Sequence, residues 1–243
     1  MSKVTFLKLT RIVLRFVLRV IARVEIQGYE HIPATGAAIV VTNHLGRLDA
    51  IMAVILSDRN DFILMIAEKY QKSVFWRWWG RRVDALWLNR YETDFHTLRE
   101  VLKRLNTGEI LGMAPEGTRS ETEALQEGKP GAAYLASKTG APIIPIGVFG
   151  TEDRVVKSRL KRLRKLDIKA RIGEPFYLPP MDRKQRDAYL QQSTDEIMCH
   201  IAALLPPAYR GFYLDYPRVQ ELEMEMPLAI RPYDDILDPD LYV

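Results

Sequence analysis

His44 and Asp49 stand five residues apart in the stretch TNHLGRLDA (42–50), directly after the small and β-branched run AAIVV (37–41). An imidazole beside a carboxylate is a proton-moving pair. The carboxylate fixes the tautomer and stabilises the imidazolium, and the second ring nitrogen takes a proton from a hydroxyl. Residues five apart on one helix point roughly 140° away from each other, so contact requires His44 to precede a helix and Asp49 to lie in its first turn. Gly46 makes that bend easy. No serine or cysteine adjoins the pair, and Cys199 beside His200 is a poor dyad because helix neighbours do not face each other. Direct attack by a bound alcohol is therefore expected, without a covalent intermediate. Taken alone, the same spacing also suits a capping aspartate beside a surface histidine. No metal site is expected: no second histidine accompanies His44 at ligand spacing, and one cysteine cannot build a cysteine site.

The elements around this stretch must form a strand, a turn and a helix for the pair to meet. AAIVV, EILGMAP (109–115) and PIIPIGV (142–148) read as short buried strands, and helical patterns fall at 48–57, 93–106, 130–139 and 181–205. Strands alternating with helices predict an α/β fold, a single domain with a mixed β-sheet flanked by helices. His44 then sits at a strand's carboxyl end, where open α/β sheets place their ligands.

The chain has 243 residues, 47% of them hydrophobic, enough for one substantial core. Its single cysteine excludes an intramolecular disulfide framework. Arginines interrupt the first apolar stretch, so a cleavable signal peptide is not expected. The net charge of +4 is unevenly spread, with eight acidic against three basic residues in 208–243 and a basic body before them. A basic body suits an anionic partner: a phosphate ligand, an anionic lipid or nucleic acid.

Residues 4–24 carry Lys8, Arg11, Arg15, Arg19 and Arg23 at spacings of three and four, with Phe6, Val13, Phe16, Val17, Val20 and Val24 facing the other way. That pattern predicts an amphipathic helix lying on an anionic membrane surface, its arginines toward lipid phosphates. VFWRWWGRR (74–82) mixes tryptophan with arginine as bilayer interfaces do. The run at 154–171 holds nine basic residues and one acid, which would suit a nucleic-acid backbone, the phosphates of coenzyme A, an acidic carrier protein or lipid headgroups. Three segments follow: an anchoring helical segment at 1–27, a catalytic domain at 28–207, and an acidic tail at 208–243, extended or partly disordered.

Four ordered blocks, NHLGRLD (43–49), LWLNR (86–90), APEGTRS (114–120) and APIIPIGV (141–148), resemble the motifs of the glycerophospholipid acyltransferases, most closely the 1-acylglycerol-3-phosphate acyltransferases. The resemblance implies that His44 and Asp49 are the catalytic pair. It also implies that Asn43, Arg90, Glu116, Gly117, Thr118 and Arg119 bind substrate around a glycerol phosphate. The implied acceptor is the lysophospholipid 1-acylglycerol 3-phosphate, with glycerol 3-phosphate or another lysophospholipid as the alternative; the donor is acyl-CoA or acyl carrier protein, with no bound cofactor. The implied place is the cytoplasmic face of a membrane, held peripherally. Guanidinium groups bind phosphate oxygens in pairs, and Gly117 would let phosphate approach the backbone. Glu116 would repel a phosphate, so it is expected to hold an arginine or a hydroxyl. Two positions depart from the pattern: Gly46 where the family usually has serine, and Asp84 where a glycine often opens the second motif.

Overall fold

A computed structural model describes residues 2–89 and 94–226. In chain order the elements are α1 (Lys3–Ile21), β1 (Ala22–Gln27), β2 (Ala38–Thr42), α2 (Asp49–Ile55), β3 (Phe62–Ile63), β4 (Met65–Ala67), α3 (Val74–Val83) and β5 (Leu86–Leu88). There follow α4 (Phe95–Asn106), β6 (Ile110–Met113), α5 (Gly131–Thr139), β7 (Ile143–Phe149), α6 (Asp153–Lys161), β8 (Leu166–Ile172), α7 (Arg186–Ala203) and α8 (Pro217–Glu225). The expected strands at 37–41, 109–115 and 142–148 are β2, β6 and β7. The expected helices are α2, α4, α5 and α7.

Six strands form one sheet in the order β1-β8-β7-β2-β6-β3, all neighbours parallel except the antiparallel pair β7–β8. A separate parallel pair joins β4 to β5. Side chains alternate across a strand, so each strand feeds two cores. Ile39 and Val41 of β2 pack with α4, α5, α7 and α8, whereas Ala38 and Val40 pack with α1 and α2 on the other face. Both faces being covered explains why β2 and β7 read as unbroken apolar runs rather than alternating ones.

The amino-terminal helix is amphipathic, but it is turned the other way from the expectation. Arg11 is only 4% exposed. Its guanidinium donates to the Val54, Asp58 and Arg59 carbonyls and to Asn60 Oδ1, and Arg15 donates to the Ile55 carbonyl and to Asp58. These cations satisfy the orphan carbonyls at the end of α2, the favourable end for positive charge. Leu7, Leu14 and Leu18 pack beside them, and Phe6 is buried. Leu9, Ile12, Val13, Phe16, Val17 and Val20 form the exposed face, with Lys8 and Arg19 at its margin.

Helix α1 also stops short of the predicted boundary. Residues 22–27 do not continue an anchoring segment; they form the edge strand β1, with Ala22 to Gln27 paired to Leu166 to Arg171. The basic run 154–171 is likewise not one surface. It divides into α6 and β8, and β8 lies inside the sheet with Arg171 buried.

The stretch after Pro207 is folded as far as Met226. Two short 3-10 turns and α8 pack against α7, placing Tyr213, Val219 and Leu222 in the core. Acidic residues of this segment are spent on ion pairs: Glu223 with Arg210, and Glu221 with Arg218. Arg218 also reaches Glu196 on α7. The remainder of the predicted tail, 227–243, lies outside the described residues.

Candidate active site

Strand β2 ends at Thr42, and the chain turns through His44 to Leu48 before α2 begins at Asp49. This is the strand-turn-helix arrangement that the spacing requires. Asp49 Oδ2 lies 3.0 Å from His44 Nδ1 and accepts the backbone N–H groups of Leu45 (2.7 Å) and Gly46 (2.9 Å). One carboxylate oxygen thus shapes the turn and orients the imidazole. Asp49 is buried and His44 half-buried, so the ring keeps an open side. With Nδ1 facing the carboxylate, Nε2 is the nitrogen able to take a proton from outside.

The turn is braced from the APEGTRS block. Glu116 is 2% exposed, and its Oε1 accepts the His44 N–H (2.9 Å) while Oε2 accepts the Gln126 N–H (3.0 Å). Ser120 N–H donates to the His44 carbonyl (2.9 Å). Glu116 therefore holds two peptide N–H groups, neither the arginine nor the hydroxyl expected for it. Burial pushes its carboxyl above the ordinary range, against the two N–H groups that favour the charged form.

Asn43, expected among the substrate-binding residues, is fully buried. Its amide nitrogen donates to the Val148 carbonyl (2.7 Å) and its oxygen accepts the Val148 N–H (2.8 Å). The side chain imitates a strand residue and ties the end of β2 to β7.

The two departures from the family pattern have structural causes. A Cβ on Gly46 would lie 2.0 Å from the Thr151 carbonyl oxygen and 3.2 Å from the Asp153 nitrogen. The turn after β7 presses on Gly46 and leaves no room for serine. Asp84 ends α3 in the left-handed region at φ 55°, where glycine is the default and aspartate is tolerated. Its carboxylate pairs with Arg104 (2.8 Å).

That same turn holds the arginines. Asp153 Oδ2 takes Arg119 Nη1 at 2.6 Å, and Asp153 Oδ1 takes the Arg47 N–H at 3.0 Å. Gly117, at φ 73°, has the Lys129 side chain against it, and Thr118 is exposed beside it. His44, Glu116, Gly117, Thr118 and Arg119 are thus on two adjoining loops, with Asp49 at the start of α2, while Arg90 lies outside the described residues.

Sequence reasoning missed Asp153 and its neighbours Thr151 and Glu152, all on the turn at the carboxyl end of β7. Burial pushes the Glu152 carboxyl up, opposed by Tyr209 and the Gly150 N–H. The available signal was positional: a polar Thr-Glu-Asp cluster directly after a buried strand, on the sheet edge that carries His44. Missed too was the support of the Leu125–Gly128 stretch by the carboxyl-terminal segment. Leu125 N–H donates to the Tyr209 carbonyl, and Gly128 N–H donates to the Tyr213 hydroxyl (3.0 Å).

A buried carboxylate thus orients a half-open imidazole at the carboxyl edge of a three-layer α/β sheet, the geometry that proton transfer requires. The Acyltransferase family profile matches residues 23–149, just over half of the chain, and the chain belongs to that family. It is 32% identical over 141 residues to the 1-acyl-sn-glycerol-3-phosphate acyltransferase alpha of Mus musculus, covering 54% of this chain and 47% of that protein. It is 28% identical over 156 residues to the chloroplastic 1-acyl-sn-glycerol-3-phosphate acyltransferase BAT2 of Brassica napus, covering 64% of this chain and 45% of that one. The chain therefore spans less than half the length of these two relatives. The Bacillus subtilis 1-acyl-sn-glycerol-3-phosphate acyltransferase is 25% identical over 168 residues, covering 68% and 79%. Among solved structures, the 1-acyl-sn-glycerophosphate acyltransferase PlsC of Thermotoga maritima shares the fold, with a TM-score of 0.60 at 23% identity over 77% of this chain and 76% of that one.

Proposed function

We propose that this protein moves an acyl group from a thioester, acyl-CoA or acyl carrier protein, to the free hydroxyl of 1-acylglycerol 3-phosphate, giving phosphatidate. The observation that carries the reading is the 3.0 Å contact of His44 Nδ1 with a buried Asp49. His44 Nε2 takes the proton of the acceptor hydroxyl as its oxygen attacks the thioester carbonyl. The tetrahedral intermediate collapses, the carbon–sulfur bond breaks, and the thiolate takes the proton back from the imidazolium. Asp49 steadies the charge on the ring in between. Arg119, Gly117 and Thr118, with Arg90, receive the acceptor phosphate, and Glu116 and Asn43 act through the backbone they brace.

The acceptor reaches the site from a bilayer. Among the described residues no helix is long and apolar enough to cross a membrane. The outer face of α1 nevertheless exposes six large apolar side chains, and α3 exposes Val74, Phe75 and Trp78 among Arg77, Arg81 and Arg82. Phe6 and Trp78 meet edge to face at 5.6 Å, so the two helices form one surface. Apolar faces of that extent, rimmed by cations, suit an anionic membrane held peripherally.

The test is a purified full chain offered labelled acyl-CoA or acyl carrier protein with lysophosphatidate, other lysophospholipids and glycerol 3-phosphate. Transfer to lysophosphatidate is expected. In His44→Ala, kcat should fall by about 10²- to 10⁴-fold with little change in acceptor KM. Transfer to none of the acceptors, or a His44→Ala protein with near-normal kcat, sinks the reading.

A further inference from the structure

The turn from α6 into β8 contains a residue that is costly on two separate counts. Leu163 is 96% exposed, and its backbone is left-handed at φ 54°. Helix α6 closes in a Schellman arrangement: Leu163 N–H donates to the Leu160 carbonyl, and Arg164 N–H donates to the Arg159 carbonyl. The left-handed position of that motif belongs to glycine, since any Cβ there meets the following carbonyl. Neither backbone geometry nor solvent favours leucine at this point. Lys161, Arg162, Arg164 and Lys165 flank it and are exposed as well. A bare leucine at the tip of a cationic turn has the character of a wedge for an anionic lipid surface.

Topology places this turn beside the reaction edge and beside α1. Strand β8 runs antiparallel to β7 with Phe149 opposite Lys169, so β8 begins where β7 ends. Strand β1 starts level with β8, Ala22 opposite Leu166. The carboxyl end of β2, which leads to His44, lies at the same edge because β2 and β7 are parallel. Lys165 Nζ donates to the Arg19 carbonyl (3.4 Å), which ties the turn to the last turn of α1, next to exposed Phe16 and Val20.

We propose that the 160–165 turn is a second lipid-contacting element, which inserts Leu163 among anionic headgroups and, with the carboxyl half of α1, sets the His44 edge of the sheet against the bilayer. The inference rests on the membrane reading above. A bilayer is favoured over an acidic carrier protein because the turn adjoins the apolar outer face of α1 and so extends one apolar surface bordered by cations.

Leu163→Gly is the sharpest probe, because it removes the side chain while relieving the backbone. The full-length variant should melt at or above the wild-type temperature, yet its partitioning onto phosphatidylglycerol/phosphatidylcholine vesicles in sedimentation should fall about 10-fold. Lys161→Gln/Arg162→Gln should weaken binding to these vesicles and reduce its salt dependence, with no effect on pure phosphatidylcholine vesicles. If wild type binds vesicles and Leu163→Gly binds them equally well, the inference is overturned while the membrane reading stands. If wild type fails to bind at all, both fall. Unaltered vesicle binding with a raised KM for acyl carrier protein alone would also overturn it, in favour of the carrier protein.

Discussion

Placing the family's usual serine at position 46 should harm this protein. In Gly46→Ser the new Cβ would sit 2.0 Å from the Thr151 carbonyl oxygen, where ordinary contact begins at 3.4 Å. The obstacle is backbone, so the turn at 150–153 must retreat by more than an ångström rather than a side chain swing aside. Overpacking of this kind costs about 1–3 kcal/mol, or a loss of about 2–12 °C in Tm for a chain of this size. Three contacts move with the turn. The Gly46 N–H leaves Asp49 Oδ2, loosening the hold on His44, and Asp153 shifts beneath Arg119 and Arg47. Calorimetry and steady-state kinetics with each substrate varied in turn should therefore record a lower Tm, a lower kcat and a raised acceptor KM. Gly46→Ala should behave in the same way, since the clash is at Cβ and the hydroxyl is incidental. A Gly46→Ser protein with wild-type Tm and kinetics would refute the steric account of this departure.

Arg11→Met should destabilise the fold by about 3 kcal/mol in urea titration, because the carbonyls at the end of α2 lose a charged donor in a buried setting, whereas Arg19→Met on the exposed margin of the same helix should stay within about 0.5 kcal/mol; equal effects would mean that α1 is not docked through Arg11. Acid stability should depend on Glu196. His200 and then Arg218 hydrogen-bond its carboxylate and lower it from 4.5 to about 2 despite burial. A depressed carboxylate lends stability that is complete above 4.5 and lost as pH falls toward about 2. Unfolding midpoints measured across that window should vary less with pH in Glu196→Gln than in wild type, and parallel curves would exclude the ion cluster as a source of acid sensitivity.

Local pattern carried much of the argument because it reports local physics. The apolar run at 37–41, Gly46 and a polar turn before a helical period suggested a strand, a bend and a first-turn aspartate, the arrangement in which His44 can meet Asp49; the other motif blocks, not the local pattern, favoured that meeting over a capping aspartate beside a surface histidine. The same periodicities revealed the alternation that makes an α/β sheet, and the residues of four ordered blocks carried the resemblance to the acyltransferases. What lay beyond reach was everything decided by partners far away in the chain. Asn43 and Val148 are 105 residues apart, and His44 and Glu116 are 72 apart. No local period encodes which polar group ends up opposite which peptide.

Helix α1 makes the distinction clearest. Its amphipathic character follows from the spacing of Leu, Val and Arg alone, because a 3.6-residue turn sorts side chains by face. Which face meets solvent does not follow from spacing. It was decided by the orphan carbonyls at the end of α2, which draw Arg11 and Arg15 inward and leave Phe16, 67% exposed, on the outside. The edge strand β1 and its inner neighbour β8 tell the same story from the other side: a basic stretch reads as surface by composition, and becomes sheet only because neighbouring strands supply its backbone with hydrogen bonds.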